Sequence, residues 1–103
     1  MEILFRTKKL EKNCTDARLT RKFYGESAEL IHQRLEEIKA ADTVEELVKY
    51  QIGRCHPLND EHNKRRTRIN QYAMDLKHPY RLVFEKIGED IQIAKIISVE
   101  DYH

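Results

Sequence analysis

A chain of 103 residues, 40% hydrophobic and 36% charged, is one small domain with a thin core, spanning 1–103. No apolar stretch approaches the roughly 20 residues a bilayer span needs. The opening Met1-Glu2-Ile3-Leu4-Phe5-Arg6 has no charged n-region followed by an apolar h-region, so no secretory signal and a cytoplasmic location are expected. The net charge of +1 hides a segregation. Residues 1–24 and 54–81 each carry seven Lys/Arg against three Asp/Glu, whereas 25–53 carry three against seven and 82–103 two against five. A near-neutral protein can thus present a basic face suited to phosphates, although ordinary solvated charge gives the same count. Cys14 and Cys55 are two and far apart, as expected of reduced thiols rather than a disulfide staple.

In chain order, Ile3-Leu4-Phe5 reads as a short first strand. Residues 16–41 read as helix: Leu19 and Phe23 lie four apart, and Ala28, Ile31, Leu35 and Ile38 repeat at three- and four-residue intervals along one face, with Gly25 as a break or bend. Thr43 with Glu46 three residues later has the form of a capping box and opens a second, shorter helix carrying Leu47 and Val48. Residues 53–66 are polar and read as a loop. Three strand-like runs follow, Thr67 to Leu76, Tyr80 to Ile87 and Ile91 to Val99, joined by the turn-forming Lys77-His78-Pro79 and Gly88-Glu89-Asp90. The order predicts an α+β domain, an N-terminal strand and two helices packed on one side of a small antiparallel sheet.

The chemistry-bearing residues fall in the loop and at strand ends. His56 precedes Pro57, which forces it into extended backbone. An imidazole changes charge near neutrality, so His56 is a candidate acid, base or phosphate ligand; a loop histidine bonded locally is the commoner case. Arg81 opens a strand and is suited either to transition-state charge or to a cross-strand ion pair. Lys64, Arg65, Arg66 and Arg68, with Arg54 nearby, form a basic cluster that suits a nucleic-acid backbone or plain solvent, and Tyr72 and Tyr80 are available for base stacking. Cys55, His56 and His62 supply only three soft ligands without a Cys-x-x-Cys pair, so no metal and no other cofactor are expected. No Gly-rich phosphate loop or Gly-x-Ser-x-Gly elbow is present. The last three residues, Asp101-Tyr102-His103, would be pinned to the sheet by the preceding strand. Phosphodiester cleavage needs a base for the 2′-hydroxyl proton, an acid for the leaving oxygen and cations for the phosphate; His56, Arg81, Asp101, Tyr102 and His103 supply those types.

In order and spacing, "ILFRTKKLEK" at the start, "GRCHPL" at 53–58, "YAMDLKHPYRLVFE" at 72–85 and the final "DYH" resemble HigB-type toxins of the RelE/ParE superfamily, from bacterial type II toxin–antitoxin systems, over nearly the whole chain. The resemblance implies a metal-independent, ribosome-dependent endoribonuclease that cuts translated mRNA and is neutralised by a HigA-like helix-turn-helix antitoxin. It places the active site on His56, Asp101, Tyr102 and His103, with Arg81 holding phosphate and basic residues such as Arg54, Lys64, Arg65, Arg66 and Arg68 gripping RNA. Relatives often continue the motif as His-Pro-Leu-Lys-Gly; here Asn59 and Asp60 follow, and Lys64 or Arg65 are the candidates to replace the missing cation. Two alternatives stay open: a ParE-like toxin that inhibits DNA gyrase without cutting RNA, and a weakened relative that only binds its antitoxin or nucleic acid.

Overall fold

The computed structural model describes residues 1–58 and 68–101. Strand β1 (Glu2–Phe5) leads into a helix that the sequence reading did not contain, α1 (Lys8–Thr15), whose first turn is capped by Thr7 Oγ1 accepting from the Leu10 amide at 3.0 Å. Asp16 ends α1 and caps α2 (Ala17–Tyr24), its Oδ1 accepting from the amides of Arg18 and Leu19. Gly25, at φ +52, stops α2, and a single 3-10 turn (Gly25–Ser27) redirects the chain into α3 (Ala28–Ala40). The helical stretch expected over 16–41 is therefore two helices, and of the break or bend anticipated at Gly25 it is the break that occurs. Within α3 the buried residues are Ala28, Ile31, Leu35 and Ile38, the face anticipated from periodicity.

Helix α4 (Val44–Lys49) is capped by Thr43 Oγ1, which accepts from the Glu46 amide at 3.2 Å. The Glu46 carboxylate reaches back to the Asp42 amide, one residue beyond the N-cap amide that a standard capping box uses. A second 3-10 turn (Ile52–Arg54) then feeds β2 (His56–Pro57), so part of the expected loop is ordered structure. The remaining strands are β3 (Gln71–Asp75), β4 (Tyr80–Ile87) and β5 (Ile93–Asp101).

The strands form one sheet in the order β1-β5-β4-β3-β2. The pairs β2–β3, β3–β4 and β4–β5 are antiparallel, but β1 joins β5 in parallel, so the sheet is mixed rather than wholly antiparallel. No hairpin constrains β1, because the whole helical region and three strands separate it from its partner. β5 also starts later than expected. Ile91 is 87% exposed, while the Gln92 side chain is buried, its Oε1 accepting from the Val44 amide at 2.8 Å and its Nε2 donating to Glu45 at 2.7 Å. Satisfying the start of α4 draws these two residues out of the strand. Gly88 (φ +89) makes the β4–β5 turn, where a Cβ would lie 2.3 Å from the Ile91 carbonyl oxygen.

The main core lies between the helices and one side of the sheet. Ile31, Leu35 and Ile38 of α3 and Val44 and Leu47 of α4 meet Met74, Leu82, Phe84, Ala94 and Ile96. Full burial of side chains this size contributes about 1.5–3 kcal/mol each. On the other side Leu58, Ala73 and Val83 form a smaller buried group with Ile97 against it, and this group contains no helix residue among those described. That second side carries the polar residues considered next. Among the described residues no helix is long and apolar enough to cross a membrane.

Candidate functional site

Residues directly opposed across a ladder point to the same side of a sheet. His56 opposes Ala73, Ala73 opposes Val83, and Val83 opposes Ser98; two residues along, Asp75 opposes Arg81 and Arg81 opposes Glu100. The register therefore brings His56, Asp75, Arg81, Ser98 and Glu100 to the side away from the helices. They lie where β3 and β5 end and β4 begins. His56 and Arg81 are separated by two interstrand spacings of about 4.8 Å and by two residues along the strands, roughly 12 Å between backbones.

Glu100 is the electrostatic centre of this surface. Arg68 donates to both carboxylate oxygens, Nη1 at 3.2 Å and Nη2 at 3.1 Å, and its Nη1 also reaches Gln71. Ser98 Oγ donates to Glu100 at 2.6 Å, and Arg81 Nη2 lies 3.5 Å from the same carboxylate. Burial alone would raise the Glu100 carboxyl. Hydrogen bonds from Arg68 and Ser98 and the charges of Arg68 and Arg81 outweigh it and hold the group below the usual carboxylate range. Two guanidiniums thus converge on one carboxylate, Arg68 in the fork geometry that arginine also offers to phosphate and Arg81 through one nitrogen.

His56 stands on β2 with its Nδ1 2.8 Å from the Arg54 carbonyl oxygen. A carbonyl only accepts, so Nδ1 carries the proton in this bond, and the lone pair of the neutral ring lies on Nε2. Arg54 is left-handed (φ +53) and its side chain is 77% exposed, with Nε 3.3 Å from Asp75 Oδ2. Asp101 opposes Tyr80, one register position beyond the Arg81–Glu100 pair, and strand alternation assigns it to the other side of the sheet from Arg81. Tyr80 is exposed at the start of β4, whereas Tyr72 stacks on Phe84, ring centroids 5.7 Å apart, on the helix side. Tyr102, His103, Lys64, Arg65, Arg66 and His62 lie outside the described residues.

Of the sequence candidates, His56, Arg54, Arg68 and Arg81 share this surface. Glu100, Ser98 and Asp75 belong to it and were not anticipated. The signal for Ser98 and Glu100 is their alternation on β5, which becomes informative only once the register with Arg81 is known. Both thiols are buried: desolvation pushes Cys55 up to about 12, and pushes Cys14 up to about 11 against an opposing hydrogen bond with Tyr24. Neither is a thiolate nucleophile at neutral pH. Among the described residues no group of three or more His, Cys, Asp or Glu is arranged to hold a metal ion.

No protein-family model matches the chain, and no curated protein sequence matches it. Among solved structures, a YoeB/ParE toxin from Agrobacterium tumefaciens is similar over 100% of both chains, with a TM-score of 0.63 and 12% sequence identity. From β1 to β5 the chain therefore has the fold of a YoeB/ParE toxin, carried by a very different sequence.

Proposed function

We propose that this chain is the toxin of a toxin–antitoxin pair and acts as an endoribonuclease on mRNA, in the manner of HigB-type toxins. The observation that carries the reading is the 2.8 Å bond between His56 Nδ1 and the Arg54 carbonyl oxygen, which favours the Nδ1–H tautomer and a lone pair on Nε2, on the surface that also holds Arg54, Arg68 and Arg81. The shared fold with a YoeB/ParE toxin supports it. In the reaction a base takes the 2′-hydroxyl proton and the 2′-oxygen forms a bond to phosphorus. The bond from phosphorus to the 5′-oxygen breaks, and an acid returns a proton to that oxygen. His56 Nε2 takes one of these roles and Tyr102 or His103 takes the other, with Asp101, on the opposite side of the sheet from Arg81, leading the chain into them. Arg81, with Arg68, holds the phosphate and offsets the charge that builds on it. The substrate is mRNA on the ribosome, in the cytoplasm, and a HigA-like helix-turn-helix antitoxin is the partner that silences the protein.

A second reading has one specific support: the similar solved structure carries the ParE name beside YoeB. A ParE-like toxin acting on DNA gyrase would not need the residues at 101–103. Removing 101–103 separates the two. Loss of toxicity and of mRNA cleavage, with antitoxin binding kept, is the expected result. Toxicity that persists in the truncated chain without mRNA cleavage would favour gyrase, and cleavage that persists would place the chemistry elsewhere. Running the assay on translated and on naked mRNA tests ribosome dependence in the same experiment.

A further inference from the structure

Arg34, on α3, has a side chain that is only 12% exposed. Its Nη1 pairs with Glu37 at 2.8 Å, within the same helix. Its Nε leaves the helix and donates to the Asp75 carbonyl oxygen at 2.8 Å, at the end of β3. The turn before His56 lies on the guanidinium: a Cβ on Gly53 would stand 2.7 Å from Arg34 Nε, 2.8 Å from Cδ and 3.0 Å from Cζ. That turn is strained. Gln51, Gly53 and Arg54 all have positive φ (54, 59 and 53°), and two of the three are not glycine. Left-handed residues of this kind persist where their surroundings over-determine them.

Asp75 links Arg34 to the turn. Its carbonyl accepts from Arg34, its carboxylate pairs with Arg54 Nε at 3.3 Å, and the Arg54 carbonyl accepts from His56 Nδ1 at 2.8 Å. We infer that Arg34 is a positioning residue for His56: by bracing the 51–54 turn and the end of β3, it aims the Arg54 carbonyl at Nδ1 and fixes the tautomer that leaves Nε2 available. A simpler role, an ion pair along one helix with Glu37, needs only a positive charge at position 34. The positioning role needs a flat guanidinium against Gly53 with donors on two separate nitrogens, Nε for Asp75 and Nη1 for Glu37, whereas the donors of lysine all sit on one tetrahedral nitrogen. The inference rests on the nuclease reading for its purpose, but not for its test.

The test uses the full chain and the variants R34K, R34A and E37Q. His56 is assigned in NMR spectra by its loss in H56Q, and its ring 13C and 15N shifts report the tautomer. Cys55, fully buried beside the turn, is followed by thiol labelling located by mass spectrometry, with the equally buried Cys14 as internal control. Neutral His56 is expected in the Nδ1–H form in the wild type and in E37Q. In R34K and R34A it shifts toward the Nε2–H form, and Cys55 labels at least 10-fold faster while Cys14 does not. If R34A does not fold, R34K decides. A folded R34K that keeps the Nδ1–H form and the wild-type Cys55 rate overturns the inference, as does a wild type lacking the Nδ1–H form. A tautomer shift with unchanged mRNA cleavage would uphold the positioning role and refute the proton-transfer role proposed for His56.

Discussion

Replacing Glu100 by Gln tests the electrostatic centre of the candidate site. The wild-type carboxylate accepts two hydrogen bonds from Arg68 and one from Ser98 and stands 3.5 Å from Arg81, with its side chain 24% exposed. A net hydrogen bond to a charged group is worth about 1.5–3 kcal/mol when buried, and exposed ion pairs are worth about 0–1 kcal/mol. The amide keeps one acceptor oxygen but loses the charge and one arm of the bidentate pair. Solvent reaches all three side chains and screens part of the loss, so a destabilisation of about 1–2 kcal/mol at pH 7 is expected. For a domain of this size that corresponds to roughly 5–15 °C in Tm. Because the folded state holds the Glu100 carboxyl below its usual range, its contribution is complete above the unfolded-state pKa and disappears as pH falls through the folded-state value. The gap between wild type and E100Q should therefore be full at pH 7 and shrink below about pH 4. Thermal unfolding followed by circular dichroism at pH 7, 5 and 3 measures it. A gap under about 0.5 kcal/mol at pH 7, or one that does not narrow in acid, would show that solvent has already neutralised the cluster.

Other variants probe separate links. His56→Gln should leave the fold intact and lower mRNA cleavage by about 10²–10⁴-fold, read by primer extension on translated message. Leu47→Ala empties a fully buried position between α4 and the sheet, and about 2–5 kcal/mol of stability should be lost in chemical denaturation. Thr43→Ala removes the α4 cap and should cost about 1 kcal/mol by the same assay. With its thiol pushed up to about 12 and fully buried, Cys55 should resist disulfide reagents at pH 8 in the native protein and react at once in denaturant.

The parts of the fold that local pattern dictates can be read from the sequence. The α3 face shows itself through Ala28, Ile31, Leu35 and Ile38, and the α4 start through Thr43. Helix α1 does not, because Leu10 and Cys14 are the only apolar positions in its eight residues and a single threonine cap defines its start. The apolar character of Ile91 imitates a strand, whereas the amide of Gln92 is claimed by a helix 48 residues earlier. The parallel placement of β1 is invisible in its own four residues, since alternation identifies a strand but not its neighbour. At the candidate site, His56 and Arg81 stand out by residue type and by the motifs around them. Glu100 and Arg34 do not. The role of Glu100 comes from register with Arg81, and that of Arg34 from a turn passing over an α-helix.

The position of β5 between β1 and β4 has a consequence for biosynthesis. Until Ile93–Asp101 has been made, β1 has no strand to pair with and β4 keeps an open edge. A nascent chain interrupted before Ile93 has its helices and the β3–β4 hairpin, but not the sheet, and lacks the carboxylate that Arg68 and Arg81 share. Incomplete translation products are therefore not fractional versions of the protein. In such chains β1 lacks its partner and β4 exposes an unpaired edge, the condition that favours edge-to-edge association, and the cluster of Arg68, Arg81 and Glu100 forms only with β5 in place.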